Sequence, residues 1–314
     1  MKELLLLLLL TEIHSTSSNV LRIMTFNIWQ SGANVENGLW KIAKHISIVD
    51  PDVVTLQEVS NITVISDLEY LLGRQWKGVV PNKEYPDVGI LTKHSIHLHS
   101  FAYTNWTMGL RISLTSGHFI NIWTAHLQYR AYGPYAAFNK LVTKMDQIMA
   151  GEKPSFGDGR WHNMMEVYEN PTMRRWLQKC DSIPFIFTGD FNCPSHLDWT
   201  LNQTGVHGGW SVEWPATKIL EQLGFIDSYR YLYPNPSTHP GNSWSTVNKF
   251  NAEWDYTIPE PQDRIDFIYF KGPVKPIRSF LYKGNEPLMR IPYHMQNDYP
   301  SDHYALISDF QIFK

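Results

Sequence analysis

Six short apolar segments of this sequence begin or end with polar residues whose side chains can do chemistry. Four segments end at Asn27, Glu58, His126 and Asp190, with Asn192 two residues further on, and two begin at Asp266 and at Asp302–His303. Segments of this kind are typical of β-strands, and antiparallel pairing places the end of one strand beside the start of its neighbour. The six strands could therefore bring carboxylate, amide and imidazole groups to one rim. Such groups transfer protons or hold a divalent cation.

Most of these residues have a simpler structural explanation when each is taken alone. Asn27 would cap a turn, Glu58 would be a solvated charge, and His126 would be a core histidine. Asp190 would cap the following loop. Asp266 is different, because it lies in an otherwise apolar segment and a buried carboxylate without a partner is costly. We therefore expect Asp266 to have a partner, and a histidine is a natural one.

The order of apolar segments predicts an α+β fold. Strand-length runs lie at 20–26, 53–56, 89–91, 111–114, 119–124, 184–188, 265–270 and 304–310. Apolar residues at helical spacing predict a helix over 39–49, before Pro51, and further helices over 134–150, 161–180 and 215–224. Because strands and helices do not alternate strictly, we expect sheets packed on each other with helices outside. No linker divides the chain, so residues 18–314 are predicted to form one domain.

The composition excludes several classes of protein. The chain has 314 residues, 43% of them hydrophobic, and 27 basic against 30 acidic residues give a net charge of −3. This charge offers no basic footprint for sequence-independent nucleic-acid binding. Two cysteines exclude a disulfide framework, and Cys180 and Cys193 flank one predicted strand at distances beyond disulfide reach. The aromatic content is high, with 12 Trp, 16 Tyr and 15 Phe.

The N-terminus predicts an exported protein. Lys2 precedes seven consecutive leucines at 4–10, and small polar residues follow at 15–18, a pattern typical of a signal peptide. We expect a signal peptide over 1–17 and a secreted chain. Seven apolar residues cannot span a bilayer, which takes about 20, so no transmembrane anchor is expected. Acceptor motifs for N-glycosylation begin at Asn61, Asn105 and Asn202.

Six ordered motifs resemble the signature blocks of the endonuclease/exonuclease/phosphatase superfamily. They are Met24-Thr-Phe-Asn27, Leu56-Gln-Glu58, Thr124-Ala-His126-Leu127, Gly189-Asp-Phe-Asn192, Arg264-Ile-Asp266-Phe267 and Ser301-Asp-His303. The ordered set is specific, although a single Gly-Asp-Phe-Asn is not. The resemblance implies a four-layered α/β sandwich, in which two packed, mostly antiparallel β-sheets are flanked by helices. It also implies a hydrolase that cleaves a P–O bond.

The resemblance implies a divalent metal site formed by Asn27, Glu58 and Asp302. Glu58 and the amide oxygen of Asn27 are hard oxygen donors, which suit Mg²⁺ or Mn²⁺ better than Zn²⁺. Asp302 would support the metal or the neighbouring His303. The number of metal ions is left open.

The resemblance also implies catalytic roles for five residues. His303 would activate or orient the attacking water, and Asp266 would fix its ring. Asp190 and Asn192 would position the water and the phosphate, and either Asp190 or His303 could take the proton. His126 would donate a hydrogen bond to a phosphoryl or leaving oxygen.

Together with the exported N-terminus, the resemblance implies a secreted, divalent-metal-dependent phosphoric ester hydrolase, which we expect to be phosphodiesterase- or nuclease-like rather than a phosphomonoesterase. Whether its phosphate-ester substrate is nucleic acid, a nucleotide or a phospholipid head group is left open. One alternative is a sphingomyelinase- or phospholipase C-like enzyme, which would need an exposed apolar hairpin such as residues 98–106. A second is a secreted binding protein that kept the fold and lost catalysis. A monomer is expected. Aromatic residues outside the predicted strands could line a substrate rim, namely Tyr129, Tyr132, Tyr135, Trp199 and Trp244.

Overall fold

Twelve strands of the described residues form two six-stranded β-sheets. A computed structural model describes residues 20–155 and 157–313, so the predicted signal peptide lies outside the described residues. The strands are β1 (Val20–Asn27), β2 (Val53–Val59), β3 (Lys77–Val79), β4 (Asp87–Thr92), β5 (Ser95–Tyr103), β6 (Thr107–Ser113), β7 (Phe119–His126), β8 (Phe185–Asp190), β9 (Ile226–Asp227), β10 (Asp266–Lys271), β11 (Val274–Tyr282) and β12 (Ala305–Ile312).

The two sheets share one pattern of strand directions. Sheet 1 has the order β11-β12-β1-β2-β4-β3, and sheet 2 has the order β5-β6-β7-β8-β10-β9. In each sheet the two central strands are parallel, β1 with β2 and β7 with β8. The remaining neighbours are antiparallel. The predicted fold of two mostly antiparallel sheets is confirmed.

Branched aliphatic side chains fill the space between the sheets. Ile23 and Val53 of sheet 1 belong to the same buried cluster as Ile122, Ile186 and Ile268 of sheet 2. All five are fully buried, and burying a side chain of this size contributes about 1.5–3 kcal/mol. Alternate residues of the central strands face this cluster, and the residues between them lie in the buried clusters beneath the helices. Because both faces are buried, these strands read as nearly continuous apolar runs.

Helices cover the outer faces of both sheets. They are α1 (Gly38–Val49), α2 (Thr63–Leu72), α3 (Gly133–Phe138), α4 (Met145–Ile148), α5 (Arg160–Glu169), α6 (Pro171–Leu177), α7 (Pro215–Gln222) and α8 (Ser228–Leu232). Ile42 of α1 and Leu68 of α2 are buried in one cluster with sheet 1 residues. Val167 of α5 and Leu220 of α7 are buried in another with sheet 2 residues. The predicted four layers are therefore present.

The predicted helices are partly correct. The helix predicted over 39–49 is α1, and the one predicted from Pro215 is α7. The single helix predicted over 161–180 is wrong, because Pro171 lacks the N–H that would continue α5, and the Asn170 side chain caps α6 by accepting from Thr172 N at 2.9 Å. The region 134–150 likewise contains two short helices. None of the helices in the described part of the chain is long and apolar enough to cross a membrane.

Candidate active site

The central strands of both sheets bring charged side chains to one rim. Parallel pairing of β7 with β8 places His126 beside Asp190, and antiparallel pairing of β10 with β8 places Asp266 on its other side. Asn27 ends the central strand β1 of sheet 1, and Glu58 lies in its neighbour β2. The two sheets meet here, since Asn27 Nδ2 donates to Asp190 Oδ2 at 3.0 Å.

Asp190 is the buried centre of this cluster. Its Oδ2 lies 3.6 Å from His126 Nε2 and 3.7 Å from His303 Nε2. Burial raises the pKa of the Asp190 carboxyl, against the opposing effect of His303. A carboxylate that faces two imidazoles and is shielded from water is well placed to exchange a proton with a bound molecule.

His303 is held by Asp266, as the sequence predicts for a buried carboxylate in need of a partner. His303 Nδ1 lies 2.9 Å from Asp266 Oδ2, and both residues are buried. Ser243 Oγ accepts from the backbone N of Asp266 at 3.1 Å, which fixes the start of β10. Burial alone lowers the pKa of His303, but the charges of Asp266 and Asp190 raise it well above its ordinary value.

His126 has a carboxylate partner that the sequence reasoning missed. His126 Nδ1 lies 2.8 Å from Oδ1 of Asp87, the first residue of β4. Burial lowers the pKa of His126, but the carboxylates of Asp87 and Asp190 raise it to about 10. Asp87 lies two residues before the start of the predicted strand 89–91. The rule that selected Asp266, a carboxylate where a strand begins, would also have found Asp87.

Asn27 links Glu58 of sheet 1 to Asp190 of sheet 2. Asn27 Nδ2 donates to Glu58 Oε1 at 3.0 Å as well as to Asp190, and its Oδ1 accepts from Trp29 N at 2.9 Å. Gln30 N donates to Glu58 Oε2 at 2.7 Å. This loop follows a left-handed path, with φ of 44° at Trp29, 53° at Gln30 and 60° at Ser31. The strained path turns two backbone N–H groups toward the site.

Comparison with known proteins identifies the family. The model of the Endonuclease/Exonuclease/phosphatase family matches residues 24–303, and the six polar motifs within that range surround one buried carboxylate. The chain belongs to this family.

Three proteins are similar to this chain over most of its length. The uncharacterized protein F14F9.5 of Caenorhabditis elegans is 52% identical over 310 residues, covering 98% of this chain and 97% of that protein. An AP endonuclease from Archaeoglobus fulgidus has a TM-score of 0.57 at 16% identity, covering 92% of this chain and 98% of that chain. TDP2 of D. rerio, complexed with single strand DNA product, has a TM-score of 0.54 at 17% identity, covering 93% and 98%. At these identities the two structures show a shared fold.

The family's enzymes generally depend on a divalent metal ion, and Asp302 has the properties expected of a ligand for such an ion. Burial raises the pKa of Asp302 to about 7, and the charge of Glu58 adds to this against the effect of His303. Asp302 Oδ1 is buried without a hydrogen-bond partner among the described residues. A nearby cation would relieve both this orphaned oxygen and the repulsion between the carboxylates. Asp190, Asp266 and His303 also offer ligand atoms within 4.8 Å of one another.

Asn192 completes the predicted set. Its backbone N donates to Asp190 Oδ1 at 2.8 Å, and its Nδ2 donates to Leu127 O at 2.9 Å. The structure thus gathers all eight predicted residues of the family site around Asp190: Asn27, Glu58, His126, Asp190, Asn192, Asp266, Asp302 and His303. Their individual roles as ligands or catalysts stay predictions.

A buried ion-pair network supports the base of the site. Arg264 is 2% exposed, donates from Nε to Asp198 Oδ2 at 2.9 Å and also pairs with Asp227. Asp198 binds Arg230 in turn. Arg264 precedes Asp266 by two residues, so this network fixes the chain where the family motif enters β10. Asp227 also caps α8.

The aromatic rim is only partly as the sequence predicts. Trp199 is buried, with its Nε1 donating to Asp263 Oδ1 at 2.9 Å, because it belongs to the core beneath sheet 2. The prediction that Trp199 lines a substrate rim is therefore wrong. The other four predicted aromatics line a groove beside the site.

Proposed function

We propose that this protein is a divalent-metal-dependent phosphodiesterase that cleaves a P–O bond by in-line attack of water. The observation that carries the proposal is the position of Asp190, whose Oδ2 lies 3.6 and 3.7 Å from the Nε2 atoms of His126 and His303. The fold is that of a family of phosphoester hydrolases, which supports the same reaction class.

Glu58 and Asp302 would hold the metal ion, with Asn27 as a further ligand. When bound, the ion would polarise the phosphoryl group and offset the charge that develops on its oxygens. Carboxylate and amide oxygens suit Mg²⁺ or Mn²⁺.

Proton transfer would be divided between Asp190 and the two imidazoles. The neighbouring carboxylates raise the pKa of both His126 and His303, so each ring is a charged imidazolium with both nitrogens protonated near neutral pH. Each Nε2 can then donate to a phosphoryl or leaving oxygen. Asp190, whose pKa burial raises, would accept the proton of the attacking water.

The test is hydrolysis by the purified chain of a chromogenic phosphodiester, plasmid DNA, RNA, sphingomyelin and inositol phosphates, with Mg²⁺ or Mn²⁺. We expect a phosphodiester to be cleaved, and chelator, His303→Ala and Asp190→Asn each to abolish cleavage. His118→Ala is the matched control, because His118 precedes β7 at the end opposite His126. Cleavage that survives both the chelator and His303→Ala would refute the mechanism. Hydrolysis of no substrate would favour the inactive binding protein.

A lipid substrate is a second candidate. The hairpin that follows β5 reaches the site, since His126 N donates to Trp106 O at 2.9 Å. Leu98 and Tyr103 of the preceding edge strand are 65% and 46% exposed. If lipid head groups are the substrate, sphingomyelin in vesicles is cleaved faster than the chromogenic diester, and Leu98→Ser slows only the vesicle reaction.

We also propose that the chain is secreted. The three acceptor asparagines, Asn61, Asn105 and Asn202, are all exposed, as glycosylation in the secretory pathway requires. Expression of the full chain in a secretory host is expected to yield glycosylated protein in the medium. Retention of the protein inside the cell without glycan would overturn this proposal.

A further inference from the structure

A groove of about 690 Å³ opens beside the site. Its aromatic lining consists of Tyr129, Tyr132, Tyr135, Trp244 and Trp254, and we call it the aromatic groove. Binding sites for small molecules usually have volumes of roughly 300–1,000 Å³. The aromatic groove therefore has room for one ring system and its sugar, and it accounts for aromatic residues that neither the core nor the catalytic chemistry explains.

The aromatic groove adjoins the predicted catalytic residues through Asn192 and Trp244. Asn192, whose backbone N binds Asp190, lines its mouth, and so does Trp244. The ring centroid of Trp244 lies 6.3 Å from that of His303. A phosphate bound at Asp190 would therefore have one of its two ester substituents at the mouth of the groove.

Buried polar residues hold the walls of the aromatic groove in place. Arg160, which is fully buried, donates from Nη2 to the carbonyl oxygens of Tyr129 and Arg130, both at 3.1 Å. Tyr132 OH donates to the buried Asp263 Oδ2 at 2.9 Å. Tyr132 also packs edge-on against Trp244, with centroids 5.7 Å apart. Walls fixed before binding reduce the entropy that a ligand must overcome.

The polar groups of the aromatic groove are mostly amides. Gln147, Asn248 and Asn251 contribute to its lining. Asn251 is 3% exposed, and its Oδ1 has no hydrogen-bond partner among the described residues. Such an acceptor is costly unless a ligand supplies a donor. Arg130 is the one cation among the described residues that line the groove.

These properties discriminate between classes of substituent. An acyl chain would gain nothing from amides and would leave Asn251 Oδ1 unpaired. A ring with several phosphates would need several cations. A nucleobase has flat faces that stack on aromatic rings, at about 1–3 kcal/mol per base, and edges that pair with amides.

We propose that the aromatic groove binds the base of a nucleoside attached to the scissile phosphate, so that the substrate is a small nucleoside phosphodiester. This inference rests on the proposed phosphodiesterase function. Tyr129 and Trp254 supply the stacking surfaces, because they are 57% and 51% exposed. Asn251 accepts from the edge of the base, and Arg130 stays at the rim.

Two esters with the same leaving group provide the test. Adenosine 5′-(4-nitrophenyl) phosphate and methyl 4-nitrophenyl phosphate release the same chromophore and differ only in the nucleoside. We expect kcat/KM to be at least about tenfold higher for the adenosine ester, as one stacked base allows. Trp254→Ala or Tyr129→Ala should raise KM for that ester about tenfold and leave the methyl ester unchanged. Trp40→Ala, at 57% exposure on α1, is the matched control and should change neither.

The outcomes separate this inference from the proposed function. If both esters are hydrolysed equally and the groove variants have no effect, the base-binding inference is wrong while the phosphodiesterase proposal stands. If neither ester nor any other phosphodiester is hydrolysed, the function proposal fails. Base binding is then measured alone, by adenosine 5′-monophosphate quenching of tryptophan fluorescence. Loss of quenching in Tyr129→Ala supports the inference, and stronger competition by ribose 5-phosphate overturns it.

Discussion

Two imidazoles approach the same oxygen of Asp190, and a carboxylate holds each ring from behind. Asp266 binds His303 and Asp87 binds His126, at 2.9 and 2.8 Å between the paired atoms. The paired carboxylate fixes the tautomer and favours the protonated ring. Both rings are therefore prepared to donate from Nε2, which leaves Asp190 as the group able to receive a proton.

Asp87→Asn tests this assignment for His126. The substitution keeps the shape but removes the charge that raises the pKa of His126 to about 10. We expect kcat to fall by about 10- to 100-fold and the alkaline limb of the pH–rate profile to move to lower pH. The double variant Asp87→Asn/His126→Ala should lose no more activity than His126→Ala, because the two residues act as a unit. Additive losses would contradict the pairing.

The raised pKa of Glu152, which binds the Arg160 that holds the wall of the aromatic groove, predicts a pH dependence of stability. Burial raises the pKa of Glu152 to about 6 against the effect of Arg160, whereas the ordinary value is 4.5. The folded state therefore binds the proton more tightly than the unfolded state does. The stability contributed by Glu152 is complete below about pH 4 and is lost as pH rises to about 6.

The Glu152→Gln variant isolates this effect. Between pH 4 and pH 6.5, the free energy of unfolding of the wild type should fall relative to that of Glu152→Gln by about 2 kcal/mol. Urea unfolding at several pH values provides the measurement, and the exposed Glu286→Gln is the control. A difference between wild type and Glu152→Gln that does not vary with pH would be inconsistent with the raised pKa.

At the scale of elements, the left-handed turn after β1 carries the backbone past Glu58. Trp29, Gln30 and Ser31 all have positive φ, which costs a residue with a Cβ about 1–2 kcal/mol. This conformation directs two backbone N–H groups at the side chains of Asn27 and Glu58. The turn illustrates strain kept at a site where it orients polar groups.

Gln30→Gly should relieve part of this strain. The Gln30 side chain is exposed, and the bond from its backbone N to Glu58 does not need a side chain. We expect the free energy of unfolding to increase by about 1 kcal/mol, measured by chemical denaturation. Gln30→Ala retains the Cβ and serves as the control, with no such gain. Equal stability of the two variants would show that the turn is not strained at this position.

The elements that the sequence failed to predict are those with weak apolar patterning. β11 contains Pro276 and lies at the edge of sheet 1, where a register shift follows the proline. Proline is tolerated at an edge, but it interrupts the alternation from which a strand is predicted. The central strands were predictable because both of their faces are buried. The meeting of the eight predicted site residues could be predicted because each lies at or close to the end or start of a buried strand. The aromatic groove could not, because much of its lining comes from the segments 129–132 and 244–254, which carry no periodic signal.

At the scale of the whole molecule, each sheet supplies a different part of the site. Asn27 and Glu58 belong to strands of sheet 1, and Asp302 lies shortly before β12 of the same sheet. Asp190 and Asp266 belong to sheet 2. The predicted metal ligands and the central carboxylates thus meet only when the two sheets pack together.

Metal binding should therefore stabilise the folded chain. Because the ligands converge only in the folded state, Mg²⁺ at 100 times its Kd should add about 2.7 kcal/mol to the free energy of unfolding. Thermal unfolding with Mg²⁺ and with chelator measures this increment. Asp302→Asn should reduce it strongly, and the exposed Asp158→Asn should not. An increment that is the same in Asp302→Asn and wild type would exclude Asp302 as a ligand.

The position of β12 between β11 and β1 has a consequence for biosynthesis. The hydrogen bond from Ser301 Oγ to Asn27 O joins residues 274 positions apart. At about 5–20 residues per second, the ribosome therefore completes the segment that precedes β12 roughly 15–55 s after β1. During that interval one edge of β1 exposes unpaired N–H and C=O groups, which invite pairing with other chains. Such a topology has a high contact order and folds slowly. The nascent chain is thus expected to need protection from aggregation until its last described strand is made.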